Sequence, residues 1–374
     1  MKRRKFIAIA GGTILAAGGV GYLLSDKGNF SRTDIKIYPI NKSVLTTDEM
    51  GILYLASLAP SGHNTQPWSV KYIEPYHRII CSDKSKWLPA VDPTQRETIL
   101  SIGAFTQNLE YAASNAGYNC QFTVLATTNQ EKELVEVKLN RSGPTPAFNI
   151  EKIKNRRTVR SNYLPDLLKT DDLAYLIREE QVFFHFIPIG AKEYQYLNDQ
   201  TIEANKIQSY RDAAEKELSE WIRFSSNDAK KYCDGLTTAS MEIEGMPGWI
   251  VRNFYRKNSV MKKSFRDKNI DNVTKQVSQS AGWLLITNKG NEVVTLLETG
   301  KRMQKLFLKV RDKVIAIHPM TQKLEEPATN QNINQSIGIS DSIQFILRIG
   351  YLKNYPDPVS VRRPVDWFVR SQNL

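Results

Sequence analysis

Cysteine and histidine are scarce in this chain. Three cysteines (Cys81, Cys120, Cys233) and four histidines (His63, His77, His185, His318) are spread through 374 residues. They form no C-x-x-C and no H-E-x-x-H, so a protein-ligated metal centre is not expected; no disulfide framework is required, although a single bridge stays open. Phosphate-binding glycine motifs are also missing: neither G-x-x-x-x-G-K-[ST] nor G-x-G-x-x-G occurs at a strand–helix junction, and G-x-S-x-G is absent too. Ser61 lies beside His63, but neighbours in a turn rarely make the hydrogen bond that activates a nucleophile, and no partner acid can be assigned. Hydrolase and nucleotide-triphosphatase chemistry are therefore not expected; if the chain is an enzyme, a cofactor supplies the chemistry. Basic residues outnumber acidic ones, 51 to 39. The excess is dispersed, with no basic run interleaved with aromatics, so nucleic acid is not an expected partner, whereas an anionic group on a small ligand is.

Long apolar runs are lacking except at the start. "MKRRKFIAIAGGTILAAGGVGYLL" has a basic opening and then no charge from Phe6 to Leu24. This is the pattern of a signal peptide or membrane anchor, and Arg3-Arg4-Lys5-Phe6-Ile7 resembles a twin-arginine export signal. No clear A-x-A site follows, so an uncleaved anchor through residues 6–24 is open. The expectation is an exported protein, periplasmic or in the cell envelope, that meets the export machinery. Residues 1–25 are set apart from the fold.

The remainder has the composition of a folded protein, 41% hydrophobic and 24% charged. Helical spacing of apolar residues over 46–59 stops at Pro60, and strands follow at 68–73 and 77–81. A helix is expected over 92–117, then strands at 120–126 and 134–139. "SGPTP" (142–146) reads as a join. Beyond it a helix over 171–180, a strand over 182–189, one long helix over 193–224, a buried strand at 282–290, a helix over 298–314 and a strand over 344–351 are expected. Residues 225–275 fit no simple pattern and read as a lid or interface excursion. Gly103-x-x-x-Gln107-x-Leu109 and Gly300-x-x-x-Gln304-x-Leu306 echo one another. The expected architecture is α+β: two related halves, 26–145 and 146–374, each with a central antiparallel-type sheet flanked by helices.

Three stretches hold candidate site residues. "LAPSGHNTQPW" (58–68) places Ser61, His63, Asn64 and Gln66 in a loop whose path is restricted by two prolines and a glycine. "RRTVR" puts Arg156, Arg157 and Arg160 within five residues, with the Thr158 hydroxyl between them. Such a turn is either solvated or faces an anion, since planar guanidiniums suit phosphate. Near the C-terminus, Arg362 and Arg363 are bracketed by Pro358 and Pro364.

Together these stretches resemble the nitroreductase superfamily. "APSGHNTQPW" resembles its A-P-S-x-x-N-x-Q-P-W motif, "RRTVR" its R-R-S-[VI]-R, and "LRIGY" with "SVRRPVDWFV" its C-terminal strand and closing basic segment. Usually both N-terminal motifs lie in one short chain that dimerises. Here they are divided between the halves, which is similar to the pseudo-dimeric, Acg-like branch, and this departure implies one complete site per chain. The resemblance implies FMN as cofactor. Arg156, Arg157, Thr158, Arg160, Arg362 and Arg363 would hold its phosphate; Ser61, His63 and Asn64 would approach the flavin, with Gln66 supporting the loop. "AIHPMTQ" (316–322), which contains Met320, would lie near the flavin N5. "EIEGMP" superficially resembles the family's E-G pair but stands in the wrong order. The implied activity is transfer of electrons from a small-molecule donor to an electron-poor acceptor such as a quinone or nitro compound. Storage or sequestration of FMN without catalysis is the alternative.

Overall fold

The structure, a computed structural model, describes residues 25–28, 30, 32, 44–142, 148–330 and 333–370. The signal-like segment 1–24 and all but Ser142 of the expected join lie outside the described residues. Among helices of seven residues or more, α1 spans Thr47–Ser57 and α2 spans Arg96–Asn115. The first-half strands are β1 (Trp68–Glu74), β2 (His77–Ser82), β3 (Tyr118–Val124) and β4 (Glu133–Arg141). The start of α1 follows from sequence: Thr46 accepts the Glu49 N–H while the Glu49 carboxylate accepts the Thr46 N–H, a reciprocal cap.

After α3 (Thr170–Ile177) and β5 (Phe184–Pro188), the helix expected over 193–224 is interrupted. Helix α4 spans Lys192–Tyr210 and α5 spans Asp212–Trp221. Arg211 between them takes an extended backbone (ψ 102°), and its guanidinium is held by Glu326 and by the Ala90 carbonyl oxygen. That long-range anchorage is invisible to helical periodicity. Strand β6 (Ile222–Arg223) precedes the excursion 225–275, which holds α6 (Ser226–Tyr232), β7 (Leu236–Thr237), α7 (Gly245–Phe254) and all but the end of α8 (Lys263–Val277). Strand β8 (Gly282–Asn288), α9 (Val293–Val310), β9 (Ile315–Pro319), β10 (Ser342–Tyr351) and β11 (Val369–Arg370) complete the chain.

The fold is α+β. One sheet has the order β11-β1-β2-β4-β3, the other β5-β8-β10-β9. All pairs in the second sheet are antiparallel, as are β1–β2, β2–β4 and β3–β4 in the first. The exception is β11, which joins β1 in parallel and so carries the end of the chain back to the first sheet. Helices α2 and α9 share one core with the apolar residues of both sheets. They cross at the two echoed glycines. A Cβ on Gly103 would lie 2.2 Å from the Leu297 carbonyl oxygen, and one on Gly300 would lie 2.0 Å from that of Leu100. The helices can approach this closely only without those side chains. Along β8, Leu284 and Ile286 enter this core while Trp283 and Leu285 face a second one shared with α4 and α8, the period of two that buries both faces of a strand.

Candidate functional site

Beyond α1 the chain turns at Pro60 into the loop 61–66. The Ser61 hydroxyl accepts the Gln66 N–H at 3.0 Å. His63, Asn64 and Gln66 all take positive φ (47°, 54° and 56°), a region side chains other than glycine visit only when their surroundings enforce it. The enforcement comes from distant chain. The Asn64 side chain donates to the carbonyls of Gly235 (3.0 Å) and Val361 (3.1 Å) and accepts from Arg362 (2.7 Å). Gln66 donates to the Cys233 carbonyl (3.0 Å) and accepts the Arg363 N–H (2.9 Å). Asn64 and Gln66 therefore fix the loop, while the half-buried His63 ring stands beside Arg160. Burial and the Arg160 charge push His63 down to about 4, so its imidazole is neutral at pH 7.

The two terminal arginines go different ways. Arg362 is buried, and its guanidinium donates to the carbonyls of Ser57 (2.7 Å), Leu58 (3.3 Å), Ala59 (3.1 Å) and Val361 (2.8 Å), and to Asn64. These bonds occupy all three of its nitrogens, mostly with the open carbonyls at the C-terminal end of α1. The expectation that Arg362 grips a phosphate is revised accordingly: it offers positive charge, with its hydrogen bonds already committed. Arg363 donates to the Gln66 and Trp68 carbonyls and lies 3.5 Å from the Asp83 carboxylate.

The turn 156–160 meets Arg362 from the second half. Arg156 is buried over the Phe307 ring (5.1 Å), donates from Nε to the Leu58 carbonyl (3.3 Å), and has one terminal nitrogen (Nη1) without a partner. Burial and the neighbouring Arg32 charge lower it to about 10. Burial, Arg156 and Arg32 depress Arg362 strongly. Arg157 donates to the Asp357 carbonyl (2.6 Å), and its Nε is buried without a partner. Arg160 donates to the Ser240 carbonyl (2.6 Å). The half-buried Thr158 sits between them. Arg348 of β10 stacks over the Tyr163 ring at 4.1 Å, donates to the Arg160 carbonyl oxygen, and leaves its Nε unpaired.

Six arginines (Arg32, Arg156, Arg157, Arg160, Arg348, Arg362) are thus gathered in and around one buried region. Among the described residues, one carboxylate comes within ion-pair distance of any of them: Glu242, 3.6 Å from Arg157. Glu242 also accepts the Arg160 N–H (2.9 Å) and the Ser161 hydroxyl. It stands at φ 59° in the stretch between β7 and α7, so the excursion reaches into the site and presents a carboxylate to the basic turn. Uncompensated buried cations are costly, and an anion placed among them relieves that cost. Among the described residues the region carries an excess of positive charge.

The stretch 316–322 departs from its expected role. Met320 is buried in the second core, and its N–H is bonded to the Ile346 carbonyl (2.8 Å). It therefore has no free N–H for a ligand. His318, whose Nδ1 is buried without a partner, faces the same basic region; burial, Arg348 and Arg160 hold it far below the usual histidine range. Sequence reading included His318 and Arg348 only within the stretches 316–322 and "LRIGY", and did not single out Arg32 or Glu242. The signal for Arg348 was one charge inside the otherwise uncharged β10 run "SIQFILRIGY"; nothing local marked Arg32 or Glu242.

No family model matches the chain. It is 24% identical over 339 residues, 87% of this chain and 96% of the relative, to a Mycobacterium tuberculosis protein named as the NAD(P)H nitroreductase acg. It is 28% identical over 130 residues to a Serratia sp. protein named as the NAD(P)H nitroreductase PigM, covering 33% of this chain and 36% of that one. Among solved structures, one described as a nitroreductase from Anabaena variabilis aligns with a TM-score of 0.41 at 11% identity, over 85% of this chain and 93% of that one.

Proposed function

We propose that this chain belongs to the nitroreductase superfamily as a fused, pseudo-dimeric FMN-binding oxidoreductase. The observation that carries the reading is the set of six arginines, five buried and Arg160 half-buried, that has a single carboxylate in ion-pair reach among the described residues, formed where the turn 156–160, the loop 57–66 and the segment 361–363 meet. A phosphate monoester supplies the missing negative charge. Arg156, Arg157 and Arg160 would hold it with charge-assisted hydrogen bonds, Thr158 would add a hydroxyl, and Arg362 would contribute charge. The neutral His63 ring and the unpaired His318 nitrogen would face the isoalloxazine. The similarity to acg over 87% of the chain supports the same assignment.

Bound FMN would supply two-electron redox chemistry between a small-molecule donor and an electron-poor acceptor such as a quinone or nitro compound. The protein's part is to hold the cofactor, keep His63 neutral, and exclude water beneath the excursion. In our reading residues 1–25 are a twin-arginine-type export signal or an anchor through 6–24, so the body works outside the cytoplasm and its donor need not be NAD(P)H. A second reading, flavin storage or sequestration, is favoured by the segment 233–245. It bonds both the loop (Asn64, Gln66) and the basic turn (Arg160) and so closes over the space between them.

The test is the visible spectrum of the purified full chain after FMN loading and desalting, followed by NADPH, dithionite and a quinone. Retained flavin that is bleached by NADPH and reoxidised by the quinone supports the oxidoreductase. Flavin reduced only by dithionite supports storage. An absence of retained flavin overturns both.

A further inference from the structure

Helix α7 (Gly245–Phe254) carries apolar residues on two faces. One face is covered: Val251 and Tyr255, just past its end, pack on the cluster of Ile222, Phe224 and Val260. The other is open to solvent. Met246, Ile250 and Phe254 recur every four residues and are 64%, 39% and 63% exposed. Positions spaced by four line one side of a helix, so the three form a continuous stripe. Scattered exposed apolar residues are ordinary, but an aligned stripe marks a contact surface.

Two features identify what covers it. The first is where the undescribed N-terminal stretch ends. Ser25 follows directly on the uncharged run Phe6–Leu24, and Ser25 and Asp26 are bound to α7. The Trp249 indole donates to the Ser25 hydroxyl (2.9 Å), the Asp26 N–H donates to the Asn253 side chain (2.9 Å), and that side chain donates back to the Asp26 carbonyl (3.1 Å). The first described residues after that run are therefore held against α7. The second feature is charge. Residues 243–268 contain seven basic and two acidic residues, and Arg256, Lys257, Lys262, Lys263 and Lys268 are exposed. An apolar helix face flanked by basic residues suits the headgroup–acyl boundary of an anionic membrane.

We infer that α7 docks in the plane of an anionic bilayer surface, with Met246, Ile250 and Phe254 reaching the acyl boundary. This rests on the reading of residues 6–24 as an anchor. Because the stretch carrying Glu242 leads directly into α7, docking places the closure of the basic site next to the membrane, within reach of lipid-dissolved electron carriers.

The test uses the full chain with Met246→Cys and an environment-sensitive fluorophore attached at neutral pH. Burial pushes the native thiols of Cys81 and Cys233 up to about 11 and that of Cys120 to about 12, so labelling favours the introduced cysteine. Val182→Cys, at a position 75% exposed, is the control. With vesicles of phosphatidylcholine and phosphatidylglycerol, the label at 246 is expected to shift to shorter wavelength while the label at 182 does not. Adding Ile250→Ser and Phe254→Ser should abolish the shift while the protein still floats with the vesicles. Flotation reads the anchor and the label reads the docking. A chain that floats with a water-like label at 246 overturns the docking alone. A label already shifted without vesicles shows the stripe covered by protein and also overturns it. A chain that does not float removes the anchor and the docking together.

Discussion

Arg362 and Arg363 are neighbours in sequence and belong to opposite electrostatic settings. Arg363 lies in a matched group. Asp83 stands 3.5 Å away, and the buried Asp234 beside it binds Arg223 (Nε 3.0 Å) and Lys86 (2.7 Å). Arg362 lies in a group of six arginines served, among the described residues, by one carboxylate, Glu242. Both groups are buried and both brace the loop 61–66. The matched group is complete within the protein, as structural ion pairs are. In our reading the unmatched one is completed by an added anion, since a chain keeps such a feature at the expense of stability when a ligand uses it.

Breaking the matched group should have the largest effect. Asp234→Ala leaves Arg223 and Lys86 facing an apolar gap, which costs about 3–5 kcal/mol. A fall of the urea midpoint by that equivalent is expected, with added phosphate giving no rescue. In the unmatched group the sign reverses. Among the described residues the Arg156 side chain makes one hydrogen bond, and it is repelled by Arg32 and Arg160. Arg156→Met should leave the stability of the ligand-free chain unchanged or higher. It should weaken FMN binding by about ten- to a hundredfold, the loss of one charge-assisted hydrogen bond, as calorimetric titration would measure.

Glu242→Gln sharpens the comparison further. It removes the internal anion, so FMN should bind about tenfold more tightly once no carboxylate competes for the turn. The ligand-free protein should lose about 1 kcal/mol, and inorganic phosphate should restore it more than chloride at equal ionic strength. A weaker FMN affinity in this variant would mean that Glu242 positions the arginines rather than opposing the ligand. The smallest effect is the pH response of His63. Its pKa falls from 6.5 to about 4 on folding, so between these values the unfolded chain binds more protons. The stability contribution is complete above pH 6.5 and is lost as pH falls towards 4. Urea midpoints should fall more steeply over that window in the native chain than in His63→Gln.

What could be read from sequence and what could not follows from the range of the interactions. The start of α1 near Thr46, the stop at Pro60 and the strands of the first sheet rest on local pattern and were legible; the echo of Gly103 and Gly300 was visible, but the crossing of α2 and α9 at these glycines was not read from it. The interruption at Arg211 depends on Glu326 and Ala90, far along the chain. The placement of β11 beside β1 likewise depends on partners remote in sequence. Among candidate site residues, the basic turn and the loop could be picked out from their composition. The commitment of Arg362 to the end of α1 was not, nor was the arrival of Glu242 from the excursion, because neither has a signature within its own stretch.

The central claim is that the unmatched arginines seat a phosphate. The most direct measurement compares FMN with riboflavin, which lacks only the phosphate, in titrations of the full chain. The account predicts that FMN binds at least about a hundredfold more tightly, as two or more charge-assisted hydrogen bonds require, and that inorganic phosphate erodes the difference. Equal affinities, insensitive to phosphate, would contradict it.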